Sequence, residues 1–197
     1  MIIEDGTGDG FSAEVNAEKR LVTSAVTSTE SDHNADKGNK FNVNTGDITI
    51  TDAVKFTALY IKNNSDDPIF ITAVIYNLGT TASGSGDVKI DVIRNPTAGD
   101  IVTNANDCEM ISNQNFGSSL TFTGDAFKGA EGETVVSDGE ISISTRSASA
   151  TGRIVVSLGA LVLKKGSSIA INYTPPTGNT SQTVQFAVSS FFQDIVV

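Results

Sequence analysis

The stretch LGALVLKKGSSIAINYTPPTGNTSQTVQFAVSSFF, from Leu158 to Phe192, decides the fold. It contains two runs in which apolar and polar residues alternate, joined by a Pro-Pro-Thr-Gly-Asn turn. The residues on the apolar face are Ile169, Ile171 and Tyr173 in the first run and Val184, Phe186 and Val188 in the second. A period of two is typical of a half-buried β-strand. The stretch therefore predicts a C-terminal β-hairpin.

The residues around this hairpin extend the prediction to a third strand. Pro175 and Pro176 have no N–H to donate to a sheet, and Gly178-Asn179 tolerates positive φ, so the chain leaves the sheet between the two runs. The preceding run, Ile154 to Leu163, is too continuously apolar to be an exposed edge strand. Three adjacent strands that share an apolar face are not stable alone in water, so a second sheet must cover them.

Strand patterns continue upstream from Phe41. Lys55 to Lys62 and Ile69 to Leu78 predict a hairpin with Pro68 at the strand entrance, where its missing N–H does least harm. The other predicted strands lie around Ile48 and Ile50 and at 88–94, 107–112, 119–127, 133–136 and 140–145, with a tight turn at Ser137-Asp138-Gly139. About a dozen short strands with frequent turns predict an all-β, two-sheet antiparallel sandwich, jelly-roll-like, over residues 41–197, with no helix.

Residues 1–40 are predicted to be an N-terminal extended arm and β-hairpin followed by a polar linker. The glycines and acids of EDGTGDG, residues 4–10, favour an extended or looped arm. Two short strands are predicted at Phe11 to Val15 and Leu21 to Val26. Ser28 to Lys40 has no apolar residue except Ala35, which predicts a linker or surface loop.

Composition excludes several classes of partner. The net charge is −10 and the pI is about 4.4, which disfavours nucleic-acid and anionic-membrane partners. Eight acids and a single base occupy residues 96–145, so this region is expected to face solvent. No apolar run is long enough to span a membrane and no signal-peptide pattern is present, so we expect synthesis in a reducing cytoplasm. The single cysteine, Cys108, is predicted to be a small semi-buried hydrophobe.

No pattern in the sequence predicts catalysis, a metal or a cofactor. His33 lies beside Asp32 and Asp36, but one imidazole in a polar loop is more often without a special role. The acid pairs Glu131/Glu133 and Asp66/Asp67 resemble glycosidase pairs only in composition, because nothing places them across a cleft. EDGTGDG lacks the ligand spacing of a calcium loop and the Lys-Ser/Thr of a phosphate loop. Phe191-Phe192 is open to two interpretations, a core-plus-edge pair or an interface contact.

Two phrases of the sequence carry a family resemblance. The first is IIEDGTGDGFSAEV at 2–15, followed by Arg20-Leu21 and Ala25-Val26-Thr27. The second is LKKGSS at 163–168 with PPTGNTS at 175–181. Together they cover about a quarter of the chain, and they resemble the two ends of structural proteins from the head modules of tailed bacteriophages. The middle of the chain is similar only in its strand-rich, Thr/Gly/Asn-rich character.

The resemblance implies a non-enzymatic capsid decoration or cement protein on the outer capsid surface of a virion. Its implied partner is the major capsid protein, and a homotrimer is expected. A glycine-rich arm can add strands to a neighbouring sheet, so the predicted capsid- or neighbour-binding residues are Ile2, Ile3, Phe11, Val15, Leu21 and Val26. The alternative is a tail- or fibre-associated receptor-binding module for a host surface glycan, which the absence of tryptophan weakens.

Overall fold

The computed structural model describes residues 3–4, 12–13, 29–79, 85–103, 106–108, 110–148 and 151–193. The chain divides into two compact units, Met1–Glu30 and Ser31–Val197. In the first unit, strand β1 (Ile3–Glu4) pairs antiparallel with β2 (Ser12–Ala13). The rest of the predicted N-terminal arm and hairpin lies outside the described residues.

The second unit is built almost entirely of strands. Two short helices, α1 (Glu30–Asp36) and α2 (Asp100–Thr103), accompany them. The strands are β3 (Lys40–Asn44), β4 (Ile48–Ile50), β5 (Phe56–Lys62), β6 (Ile69–Leu78), β7 (Val88–Arg94), β8 (Met110–Asn113), β9 (Asp125–Lys128), β10 (Glu140–Ser147), β11 (Gly152–Leu163), β12 (Ser168–Thr174) and β13 (Gln182–Phe192). No helix in the described part of the chain has the length and apolar character needed to cross a membrane.

The strands form an antiparallel sandwich of two sheets with jelly-roll connectivity. One sheet has the order β10-β7-β12-β5-β9, and the other has the order β11-β6-β13-β3-β8, with β4 also paired to β13. In chain order, the strands β3, β5, β6 and β7 alternate between the sheets, and so do β10, β11, β12 and β13, while β7 and β10 are neighbours in one sheet. This is the pattern of two Greek keys. The predicted all-β, jelly-roll-like sandwich is thus confirmed.

Two predicted hairpins are wrong. β12 pairs with β5 and β7, whereas β13 pairs with β6, β3 and β4, so the Pro-Pro-Thr-Gly-Asn connection crosses from one sheet to the other. β5 and β6 also lie in opposite sheets. The apolar faces of β12 and β13 meet across the core, where the rings of Tyr173 and Phe186 are 5.5 Å apart. Alternation of apolar and polar residues identifies the buried face of a strand but not its pairing partner. Strands in facing sheets bury their apolar faces in the same core, as the two strands of a hairpin also do.

The prediction that residues 154–163 are not an exposed edge is also wrong. Among the described strands, β11 is the terminal strand of its sheet and pairs only with β6. Its outward residues Val155 and Val162 are 54% and 44% exposed, while its inward residues pack against the core. The run is apolar on both faces although only one face is covered, and a bulge between Ser157 and Leu161 interrupts its pairing.

Other differences concern short segments. The predicted linker at 28–40 contains α1, and Lys40 already begins β3. Of the predicted strand 119–127, only the last three residues lie in a strand, which is β9 (Asp125–Lys128). Residues 133–136 do not form a strand. The predicted tight turn at 137–139 therefore joins no hairpin. Gly139 has a φ of 88° and approaches the Arg94 carbonyl too closely for a side chain.

A second, smaller core covers the outer face of the five-stranded sheet. We call residues 95–103 together with 129–139 the cover. Ile101 and Val136 of the cover are fully buried against Tyr60, Ile93 and Ala170, which point away from the main core. The acidic region thus has buried apolar anchors, although its described acids face outward or are only half-buried, as predicted.

A ring of hydrogen bonds fixes the centre of the cover. The Thr57 hydroxyl donates to Asn172 Oδ1 at 2.7 Å, and Asn172 Nδ2 donates to the Val136 carbonyl at 2.9 Å. The Val136 N–H closes the ring by donating to Thr57 Oγ1 at 2.9 Å. All three residues are at most 4% exposed, so each bond replaces water that the buried groups have lost.

Candidate functional site

The two sheets differ in what lies over their outer faces. The cover packs on the five-stranded sheet through a second cluster of buried apolar residues, whereas the described residues form no such cluster on the outer face of the six-stranded sheet. That open face contains a groove of about 400 Å³. Grooves of this size are in the range used for binding small ligands or peptide segments.

The strand register shows how the groove is built. One row across the sheet runs Met110, Asn44, Ala187, Ile75 and Val155, from β8 to β11. The neighbouring row runs Ser112, Asn42, Ser189, Ala73 and Ser157. The central strand β13 contributes small side chains to both rows, Ala187 and Ser189, whereas the first row also has the larger Met110 and Ile75. The small central residues leave a trough over the middle of the face.

The polar groups of the trough are mostly amides. Asn44 Oδ1 accepts the Gly46 N–H at 2.8 Å, and Asn77 Nδ2 donates weakly to Gln185 Oε1 at 3.4 Å. Asn42 has no hydrogen-bond partner among the described residues. Each carboxamide has two donor hydrogens and an acceptor oxygen, so donor and acceptor capacity remains along this face.

Charge is distributed unequally between the two sides of the sandwich. None of the six strands of the open sheet carries an aspartate or a glutamate, in a chain with 23 such residues. Arg153 is the single cation of the groove and has no ion-pair partner among the described residues. The open face is therefore neutral to weakly positive, while the cover side is acidic.

The acids of the cover bind loop N–H groups. Asp138 accepts bonds from the Thr97 hydroxyl, the Thr97 N–H and the Ala98 N–H, which lower the pKa of its carboxyl. Burial would raise the pKa of Glu131, but bonds from the Thr51 N–H and hydroxyl and the Asp52 N–H outweigh it and lower the pKa. Both carboxylates are anionic at neutral pH. Asp138 ties the two segments of the cover together, and Glu131 ties the cover to residues 51–52.

Asp91 is the one acid buried in a strand of the five-stranded sheet. Burial alone would raise its pKa, but the Lys89 ammonium at 2.8 Å, together with Ser144 and Lys55, lowers it. One carboxylate oxygen, Oδ1, has no partner in the described structure. The arrangement is a buried carboxylate paired with a partly exposed lysine, which the strand register places on the cover side.

The residues considered for chemistry in the sequence are separated in the structure. His33 lies in α1, and no group of three or more His, Cys, Asp or Glu among the described residues converges on a metal position. Glu133 bonds to Asn106 and the Ala130 N–H, and Asp66 pairs with Lys165. Cys108 is buried, as predicted for a small hydrophobe.

Both phenylalanines of the predicted contact pair are buried. Phe192 packs into the main core, and Phe191 stacks on Phe70 at 5.1 Å at one end of the open face. The predicted binding residues Ile2, Phe11, Val15, Leu21 and Val26 lie outside the described residues. Ile3 belongs to β1, and its side chain is likewise not described.

The groove was not foreseen from the sequence. Its residues alternate with core residues along each strand, so the sequence shows that they face outward. Which of them become neighbours depends on strand order and register, and those required the structure.

Comparison with known proteins gives little further information. No protein-family model matches the chain, and no curated protein matches it by sequence. Among solved structures it is similar to a mutant VP2 protein of infectious bursal disease virus in derived T=1 particles, with a TM-score of 0.18 and 8% identity. That match covers 78% of this chain and 40% of the VP2 chain. A similarity at this TM-score carries no argument about fold or function.

Proposed function

We propose that the protein is a non-enzymatic virion structural protein that decorates and cements the outer capsid shell of a tailed phage. The observation that carries the proposal is the contrast between the two sides of the sandwich. One side is an open sheet face with a groove, whose strands carry no acid, and the other is an acidic cover held by its own carboxylates. A protein that coats a particle needs one adhesive face and one solvated face.

The sequence resemblance supports the phage assignment. Its second phrase lies within the jelly-roll body, around β12, and such a body suits a displayed domain that has to resist unfolding. Because the jelly roll also serves many unrelated proteins, the fold alone does not decide between them. We propose the outer capsid surface as the location and the major capsid protein as the partner.

The N-terminal segment is proposed as an anchor. Ile2, Ile3, Phe11, Val15, Leu21 and Val26 are the apolar residues assigned to capsid or neighbour contact. Deleting residues 1–26 should abolish or strongly weaken attachment to particles while leaving the circular dichroism of the body unchanged. Unchanged attachment of the truncated protein would refute this role for the segment.

A homotrimer is proposed as the assembled form. Cyclic assembly lets several weak contacts act together at high effective concentration. Light scattering coupled to size-exclusion chromatography should give three times the monomer mass of 20.5 kDa. A monomer or dimer at micromolar concentration would count against it.

Quantitative mass spectrometry of purified virions tests the function itself. Copy numbers comparable to the major capsid protein are expected. A few copies per virion would favour the alternative, a tail-associated module that binds a host glycan, and complete absence would refute both.

A further inference from the structure

We propose that the groove on the six-stranded sheet binds an extended, carboxylate-bearing polypeptide segment of the shell protein, with Arg153 as the partner of the carboxylate. The assignment rests on the proposed function and adds a second attachment surface, on the body of the protein. In this arrangement the outer face of the six-stranded sheet meets the shell.

The dimensions of the trough fit an extended chain. The two rows of register partners cross five strands, from β8 to β11. At about 4.8 Å between strands this width is about 19 Å, which about six residues of extended polypeptide span. Ala187 and Ser189 lie midway along the rows, where their small side chains leave room for a backbone.

The amides supply what a peptide backbone requires. An extended segment presents N–H and C=O groups alternately, and a carboxamide can satisfy one of each. Asn42 has both functions free among the described residues, and Asn44 retains its two donor hydrogens because only its oxygen is bonded. Ile75 and Met110, in the same groove, offer apolar contact to side chains of the segment.

Arg153 sets the charge of the ligand. Its guanidinium lies on a face whose strands carry no acid, and no described residue neutralises it. A guanidinium binds a carboxylate through two parallel hydrogen bonds, which fixes position as well as charge. The complementary ligand is therefore a segment with a carboxylate aligned to the β11 end of the trough.

A peptide fits the groove better than a saccharide does. Sugar sites generally use an aromatic ring as a platform, and no aromatic side chain lines the described groove. Among the described residues that line the groove, Arg153 is the charged side chain, which favours an anionic ligand over a basic one.

Binding of the purified full-length chain to shells that lack it tests the assignment. Arg153→Glu should weaken binding at least about tenfold, because it replaces the paired cation with a like charge. Arg146→Glu is the matched control, since Arg146 is an exposed arginine on β10 of the other sheet. It should bind within twofold of the wild type.

A second variant probes the shape of the trough. Ala187→Phe fills its centre without changing charge, and it should also weaken binding at least about tenfold. Circular dichroism melting of each variant verifies that the body is folded. Arg153→Lys, which keeps the charge but loses the two-bond geometry, should fall between the wild type and Arg153→Glu.

The outcomes separate this assignment from the proposed function. If the wild-type chain does not bind shells, the proposed function fails and the groove assignment fails with it. If the wild type binds and both Arg153→Glu and Ala187→Phe bind equally well, the groove assignment alone is overturned. Arg153-dependent binding of the wild type to an array of sialylated and uronic-acid glycans would assign the groove to a saccharide and also overturn it.

Discussion

Replacing Thr57 with valine removes one hydroxyl from the ring that holds the cover and changes almost nothing in shape. In the variant the Val136 N–H loses its acceptor and Asn172 Oδ1 loses its donor. Val136 and Asn172 are 0% and 1% exposed, so water cannot replace the lost bonds without opening the cover. Each orphaned buried group costs about 1–3 kcal/mol, so Thr57→Val should reduce the free energy of unfolding by about 2–6 kcal/mol.

Urea unfolding followed by far-UV circular dichroism measures this change. Thr183→Val is the matched control, because Thr183 is an exposed threonine on β13, and its substitution should change stability by less than about 0.5 kcal/mol. Amide hydrogen exchange at Val136 should accelerate in Thr57→Val but not in the control. A loss below 0.5 kcal/mol with unchanged exchange at Val136 would show that the ring does not hold the cover.

Three further predictions concern close packing, pH and the edge strand. Gly129→Ala should destabilise the body by about 3 kcal/mol or more in urea unfolding, because the added Cβ would lie 1.8 Å from the Thr57 carbonyl oxygen. The control Gly117→Ala should be nearly neutral. Equal losses of stability in the two variants would contradict this packing. The lowered pKa of Asp138 means that its bonds to the 97–98 loop stabilise the fold at neutral pH and are lost as pH falls through that pKa. The NMR shift of the Thr97 amide should therefore titrate with a midpoint below the ordinary pKa of an aspartate, and a midpoint above that pKa would refute the assignment. Val155→Lys on β11 should reduce aggregation, measured by light scattering, with little loss of stability. The reason is that Val155 is 54% exposed on an edge strand. A large loss of stability would mean that Val155 is covered.

The fold class could be predicted because apolar and polar residues alternate along most of the strands. Ile169, Ile171 and Tyr173 are all buried at 2% exposure or less, as the pattern required. Pro175 and Pro176 end the strand, and Gly178 adopts a φ of 76°, as expected for a turn. These features depend only on local backbone chemistry, which the sequence shows directly.

Strand partners could not be predicted in the same way. A buried face is common to hairpin partners and to strands that face each other across a sandwich. The length of the connection was the available signal, since residues 175–181 form a longer link than the two to five residues typical of hairpins. The alternation pattern alone favoured the hairpin, and the jelly roll required a crossover.

The cover escaped prediction for a different reason. Ile101 and Val136 belong to short apolar pairs, Ile101-Val102 and Val135-Val136, in an acidic segment without periodicity, so nothing local shows which residue is buried. Their burial depends on Tyr60, Ile93 and Ala170, which are distant in sequence. The groove residues are equally dispersed, on β3, β6, β8, β11 and β13, and only the register brings them together.

The orientation of the body on the particle tests the central claim most directly. Cryo-electron microscopy of intact virions at a resolution that separates the two sheets would show which face meets the shell. We predict that the six-stranded sheet faces the shell, with Arg153 within hydrogen-bond distance of a shell carboxylate and the acidic cover in solvent. A body that meets the shell through the cover, or that leaves the groove empty and exposed, would contradict this account.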